Sequence, residues 1–210
     1  MTRILKDGGV IVWIVGDAVI NGSETLTSFE QALYFKNICK LNVHDVMIYE
    51  KNTFPFPSSN RYHQVFEYMF VLSKGKPKTF NPIIDEPVKY AGFTSRGRQT
   101  KRMPDGSLKE TKKARIYADF KMRSNIWRYA IGKNNTTPDE IAYKHPALFP
   151  EKLVEDLILS WSNECDIVYD PMAGSGTTAK MAIKHNRNWI LSEINKKYCN
   201  EIIKKRLKKK

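Results

Sequence analysis

Cysteine is scarce in this chain. The three cysteines, at 39, 165 and 199, stand far apart and form no CxxC pair. That excludes a disulfide framework and a cysteine-based zinc site, and it fits a reducing, cytoplasmic setting. Long apolar runs are missing as well. The longest, "VIVWIV" at 10–15, is far short of the roughly 20 residues a bilayer span needs. No basic-then-apolar leader precedes it, which argues against a secretory signal and against a membrane location. Acids are in short supply: 22 Asp and Glu against 35 Lys and Arg leave a net charge of +13. Such an excess favours polyanionic partners, because each neutralised phosphate releases counterions.

The charge is unevenly placed. Residues 96–123 carry ten Lys and Arg against three acids. Arg96, Arg98, Lys101, Arg102, Lys112, Lys113 and Arg115 are the candidate DNA contacts. The last seven residues hold six more cations. There Tyr198, Cys199, Ile202, Ile203 and Leu207 make a helical stripe, so the cations are expected on its wet face.

Periodicity outlines an α/β chain. After the Gly8-Gly9 turn, residues 10–15 read as a strand covered on both faces. Ser28 with Gln31 three residues later predicts a capped helix with an apolar side of Phe29, Ala32, Leu33, Ile38 and Cys39. Residues 46–49 and 68–72 read as strands. From about 80 to 135 the pattern turns polar and basic, with Ile126-Trp127 as one apolar island, and predicts an insertion outside the sheet. Order returns at His145. Leu153, Leu157 and Trp161, with Val154 and Ile158, form a helical stripe. Strand 165–169, a glycine loop, a helix to about 184, a turn at 186–188 and strand 189–192 make a βαβ unit, hence a parallel sheet.

The glycine loop, "DPMAGSGTT" at 170–178, lies at the carboxyl end of a strand, where open parallel sheets bind ligands. Gly174 and Gly176 let backbone approach a ligand, and Glu193 closes the next strand on the same rim. By spacing alone this is G-x-G-x-x-A with a distant acid, which also describes a nicotinamide or flavin dinucleotide site. Asp170 counts against that reading. A carboxylate directly before the loop repels a pyrophosphate and attracts an ammonium. S-adenosylmethionine (SAM) carries ribose, adenine and an amino acid but no phosphate.

"DPMAGSGTT" resembles the SAM-binding motif of amino-group DNA methyltransferases, which methylate adenine N6 or cytosine N4, with Met172 where Phe is usual. "HPALFPEKLVEDLI", "SEINKKYCNEIIKKRL", "RILKDGGVIVWIV" and "FEYMFVLSKGKPKTFN" resemble further segments of that family, in the permuted order often called β. The resemblance implies a Rossmann-like SAM-dependent methyltransferase sheet, with a core at 1–92 and 136–210 and its SAM-binding half at 145–210. The basic insertion, 93–135, falls where the family keeps its target-recognition region. Carried over, Asp170 faces the cofactor's amino group. Pro171, Ala173, Gly174, Ser175, Gly176 and Thr177 form the close-approach loop, Glu193 takes the ribose hydroxyls, and Phe149 and Pro150 line the methionine side. The implied partner is double-stranded DNA, with no metal. Adenine N6 is favoured over cytosine N4 on family frequency.

One expected element has no counterpart. The family grips an extruded base with an Asp/Asn/Ser-Pro-Pro-aromatic motif, and this sequence contains no Pro-Pro pair. "FNPIID" has Asn81-Pro82 but neither a second proline nor an aromatic, so no catalytic residue is assigned. In the family the strand bearing that motif lies between the glycine-loop strand and the equivalent of 10–15. The sheet is therefore expected to be incomplete and to need a complementing polypeptide. A non-catalytic SAM- or DNA-binding remnant is the alternative, and a dinucleotide oxidoreductase a remote one.

Overall fold

The computed structural model describes residues 1–54, 57–94, 99–111 and 116–208. Contacts divide the chain into two units, 1–81 with 125–210, and 82–124. The expected insertion, 93–135, overlaps the second unit but starts later and runs further.

In the first unit, β1 (Val10–Val15) is followed by a small hairpin, β2 (Val19–Ile20) with β3 (Ser23–Glu24), and then helix α1 (Thr27–Asn37). Strands β4 (Asn42–Lys51) and β5 (Phe66–Ser73) come next, longer than the runs read from sequence. β5 pairs antiparallel with both β1 and β4, Val10 opposite Ser73 and Tyr49 opposite Glu67. The four-stranded sheet is therefore mixed rather than parallel. Among the described residues the 14-residue connection between β4 and β5 holds no helix, the element a parallel crossover usually uses.

The expectation that 10–15 is covered on both faces is corrected. On one face Ile11, Phe70 and Leu72 bury against Leu41, with Trp13, Val15, Ala32, Phe35 and Cys39 packed around them. The rest of β1 is only half-buried; the doubly covered strand is β5, whose last five residues are all buried. Helix α1 also differs. Ala32, Phe35 and Cys39 face the core, while Phe29, Leu33 and Ile38 are exposed. Ser28 is no N-cap; it sits inside the first turn and donates to Asp17, 11 residues upstream, while Gln31 accepts from Trp13.

The second unit holds paired ribbons. β6 (Ile84–Pro87) pairs with β9 (Phe120–Met122), and β7 (Gln99–Arg102) with β8 (Leu108–Thr111), all antiparallel. Arg123 Nε donates to Asp85 Oδ1 at 2.7 Å, and Lys121 meets Glu86 at 3.2 Å. Ile84, Phe93, Leu108 and Phe120 are exposed.

The chain then re-enters the first unit as β10 (Ile126–Tyr129), which pairs parallel with β4, Trp127 opposite Tyr49. The Ile126-Trp127 island is thus a strand of the core sheet, not part of an insertion outside it. Its alternation puts Trp127 and Tyr129 inside and leaves Ile126 and Arg128 outside. Helix α2 (Glu151–Trp161) follows a short 3-10 turn, Glu140–Lys144. Strand β11 (Ile167–Asp170), helix α3 (Thr177–Lys184) and strand β12 (Asn188–Leu191) form the βαβ unit, with β11 and β12 parallel. Val154 and Ile158 of α2 pack on Met181 and Ala182 of α3 and on Val168. The C-terminal helix starts at Lys196–Tyr198, passes through a π turn at Cys199–Ile203 and ends as α-helix at Lys204–Lys208. Among the described residues β1 pairs only with β5, and β11 only with β12.

Candidate cofactor site

The site is built where two parallel strands end side by side. Asp170, the last residue of β11, lies opposite Leu191 of β12. Glu193 stands two residues past Leu191, so both carboxylates reach one rim. Between them runs the loop, with Gly174 at φ +53° and Gly176 at φ +79°. A Cβ added at Gly174 would meet the His145 ring at 3.1 Å, and one at Gly176 would meet Ile203 Cγ2 at 3.3 Å. The positive φ favours glycine at both positions, and a side chain there would also crowd these neighbours.

Hydrogen bonds hold the rim. Asp170 Oδ1 accepts from the Met172 N–H at 2.9 Å, and Oδ2 from the Thr178 hydroxyl at 2.6 Å. An ionised carboxylate has about four lone-pair sites, so Asp170 keeps capacity for a further donor. Glu193 accepts from the Asn195 N–H at 2.9 Å and the Gly174 N–H at 2.8 Å. The Asn195 N–H lowers the Glu193 pKa most; burial opposes it, and the Gly174 N–H and the nearby His145 add to it. His145 Nδ1 sits 2.5 Å from the Ala147 carbonyl oxygen, and its ring meets Tyr198 edge-on at 4.6 Å. The histidine is therefore a wall of the loop.

Three further loop amides are taken within the protein. Ala173 N–H donates to the Ser192 carbonyl, Gly174 to Glu193 and Gly176 to the Ala173 carbonyl. This geometry suits a phosphate poorly, since two carboxylates flank the approach and the Gly174 N–H is already given to one of them. It suits a ligand bearing an ammonium and vicinal hydroxyls, which are donors that carboxylates accept. By the same donor logic the residues present fit SAM.

Of the expected cofactor residues, the fold gathers Asp170, Pro171, Ala173, Gly174, Ser175, Gly176, Thr177 and Glu193. Pro150 is fully buried as the N-cap of α2, its carbonyl accepting from Val154. Phe149 beside it is exposed. Of the expected DNA contacts, Lys101 and Arg102 lie exposed on β7, and Arg96, Arg98, Lys112, Lys113 and Arg115 fall outside the described residues. Glu67 is held by Lys51 at 2.5 Å.

Sequence reading missed Arg206. Its stretch was expected to be wet, yet Arg206 is only 3% exposed and reaches under the loop to Ser175 and Thr177. The signal was present in the spacing. Arg206 is i+4 from Ile202 and i+3 from Ile203, and so lies on the apolar stripe itself.

Comparison with known proteins identifies the family of the chain. The DNA methylase family matches residues 1–205. The chain is 53% identical over 206 residues to the orphan methyltransferase M.BamHII of Bacillus amyloliquefaciens, covering 98% of this chain and 77% of that one. Its fold superposes on the PvuII DNA methyltransferase (cytosine-N4-specific) with a TM-score of 0.65 at 18% identity, covering 92% of this chain and 62% of that one. For the M1.HpyAVI–SAM complex the TM-score is 0.59 at 25% identity, covering 97% and 76%. The chain belongs to the N6/N4 DNA methylase family, whose cofactor is S-adenosylmethionine.

Proposed function

We propose that this chain transfers a methyl group to an exocyclic amine of a base in double-stranded DNA. We further propose that it does so with an amine-gripping strand contributed from outside these 210 residues. The observation that carries the reading is the pair of carboxylates, Asp170 and Glu193, closing adjacent parallel strands on either side of the glycine loop. When bound, SAM supplies an electrophilic methyl on sulfur. Asp170 holds its ammonium and Glu193 its ribose hydroxyls, while the glycine backbone of 174–176 allows close approach. Holding the cofactor fixes the direction from which the amine attacks, so most of the rate comes from alignment. Lys101 and Arg102, exposed on the β7–β8 ribbon, neutralise phosphates and set position on the duplex.

Two features support the complementing strand. The sequence has no Pro-Pro motif to hold the amine, and β1 and β11 each have one hydrogen-bonded neighbour among the described residues. A strand between them would join the four-stranded sheet to the β11–β12 pair.

The test is twofold. Isothermal titration of the chain with SAM and with NAD is expected to show binding of SAM alone; NAD binding without SAM binding would sink the reading. Tritiated-methyl transfer to DNA is then measured with the chain alone and with a segment carrying the missing motif. Label is expected only in the second arm, and nucleoside digestion identifies the base. Transfer by the chain alone would refute the need for a complement. SAM binding with no transfer in either arm would mark a non-catalytic remnant.

A further inference from the structure

Beneath the glycine loop lies an ionic cluster that the family reading leaves without a role. Arg206 Nη1 donates to the Ser175 carbonyl at 3.1 Å, the Ser175 hydroxyl at 3.0 Å and the Thr177 hydroxyl at 2.9 Å. Its Nη2 donates to Thr137 Oγ1 at 3.2 Å and Glu151 Oε1 at 2.6 Å, and its Nε to Asp139 Oδ2 at 2.8 Å. Lys180, from α3, meets the same Asp139 and Glu151 oxygens at 2.8 Å each. Two cations thus face two carboxylates, and the pairing balances.

The arrangement is asymmetric in a useful way. Asp139, Glu151 and Thr137 hold one side of the guanidinium. Its other edge is aimed at Ser175 and Thr177, the residues flanking Gly176 at φ +79°. A planar fork presents donors in fixed directions, which a lysine ammonium cannot do. We propose that Arg206 is a positioning residue for the cofactor: it holds the Ser175–Thr177 arc in its binding shape before SAM arrives. Fixing a loop in its bound conformation strengthens binding by removing the cost of ordering it. The inference rests on the reading that 170–178 and Glu193 hold SAM.

The experiment is calorimetric titration of SAM into the full 210-residue chain as wild type, R206K, T137A and E193A. R206K keeps the charge against Asp139 and Glu151 but loses the fork; its SAM Kd is expected to rise by about tenfold or more. T137A removes an acceptor on the side away from the loop and is expected to raise Kd by about threefold. Amide hydrogen exchange of the free proteins adds a readout that general destabilisation would not give. In R206K exchange is expected to quicken at 173–177 while β4 and β5 keep their protection. E193A is the control for the site itself. If it loses SAM binding while R206K and T137A bind as wild type, Arg206 has no positioning role and the site reading stands. If E193A binds as wild type, the site reading fails and the inference with it. Should R206K not fold, T137A decides, and wild-type affinity in that variant overturns the proposal.

Discussion

At the scale of single residues, charges placed inside this protein are held by partners distant in sequence. Glu155 sits on the buried side of α2. Burial alone would raise its pKa, but hydrogen bonds from Lys184, Lys152 and His185, at 2.6, 2.9 and 2.6 Å, outweigh burial and hold it down to about 2. A carboxyl whose folded pKa is depressed stabilises the fold above its unfolded value, ordinarily about 4.3, and that stability is lost as pH falls towards 2. Glu155→Gln is expected to cost about 2 kcal/mol near neutral pH, a figure reduced for screening at the exposed lysine heads. Urea unfolding of both proteins checks it: the gap in stability should be full at pH 6 and clearly narrower at pH 3. An equal gap at both values would show that the ion pairs are not its source. Neither Glu155 nor Arg206 was legible as a buried group from composition, because most of their partners lie about 30 to 70 positions away; Lys152, three residues from Glu155, is a local one. Spacing along the apolar stripe did mark Arg206, but its charge was taken as a sign of solvent. Asp170, Gly174, Gly176 and Glu193 were legible because the chemistry they serve requires them at fixed offsets along one local unit.

At the scale of elements the same rule separates success from failure. The β11–α3–β12 unit was readable because strand, glycine turn, helix and return strand all lie within 25 residues. The order β1–β5–β4–β10 was not, since β5 comes from more than 50 residues downstream to lie beside β1, and β10 joins β4 only after the whole second unit. Helix α1 shows the failure in miniature. Ser28 and Gln31 have capping-box spacing, yet the helix is capped by Asp17, which accepts from the Ser28 N–H at 2.9 Å and its hydroxyl at 2.5 Å. Ser28 is fully buried, so losing Asp17 strands two donors away from water. Asp17→Ala is therefore expected to lower stability by about 1–2 kcal/mol. Gln31→Ala should cost less, since it frees only the half-buried Trp13 indole N–H. Chemical denaturation followed by far-ultraviolet circular dichroism ranks the two; the reverse order would restore the local cap.

At the scale of the whole molecule the open question is how two sheet fragments act as one. β11–β12 carries the cofactor loop, and the four-stranded sheet leads through β10 to α2, where Tyr129 donates to Asp156 at 2.8 Å. The fragments are thus joined through side chains and helices, while β1 and β11 each keep one edge without a ladder partner among the described residues. Unpaired strand edges are free-energy liabilities and templates for another strand. If that place belongs to the amine-gripping strand, then alternate amides of β1, those pointing away from β5, should exchange with solvent far faster than their neighbours in the chain alone. Their protection should rise on adding the complementing segment, and with it the protection of β11. Methyl transfer should appear over the same range of segment concentration, because the strand that completes the ladder is also the strand that brings the acceptor grip. Uniform protection along β1 in the chain alone would mean that the edge is already covered, and activity would then have to come from a site these strands do not frame.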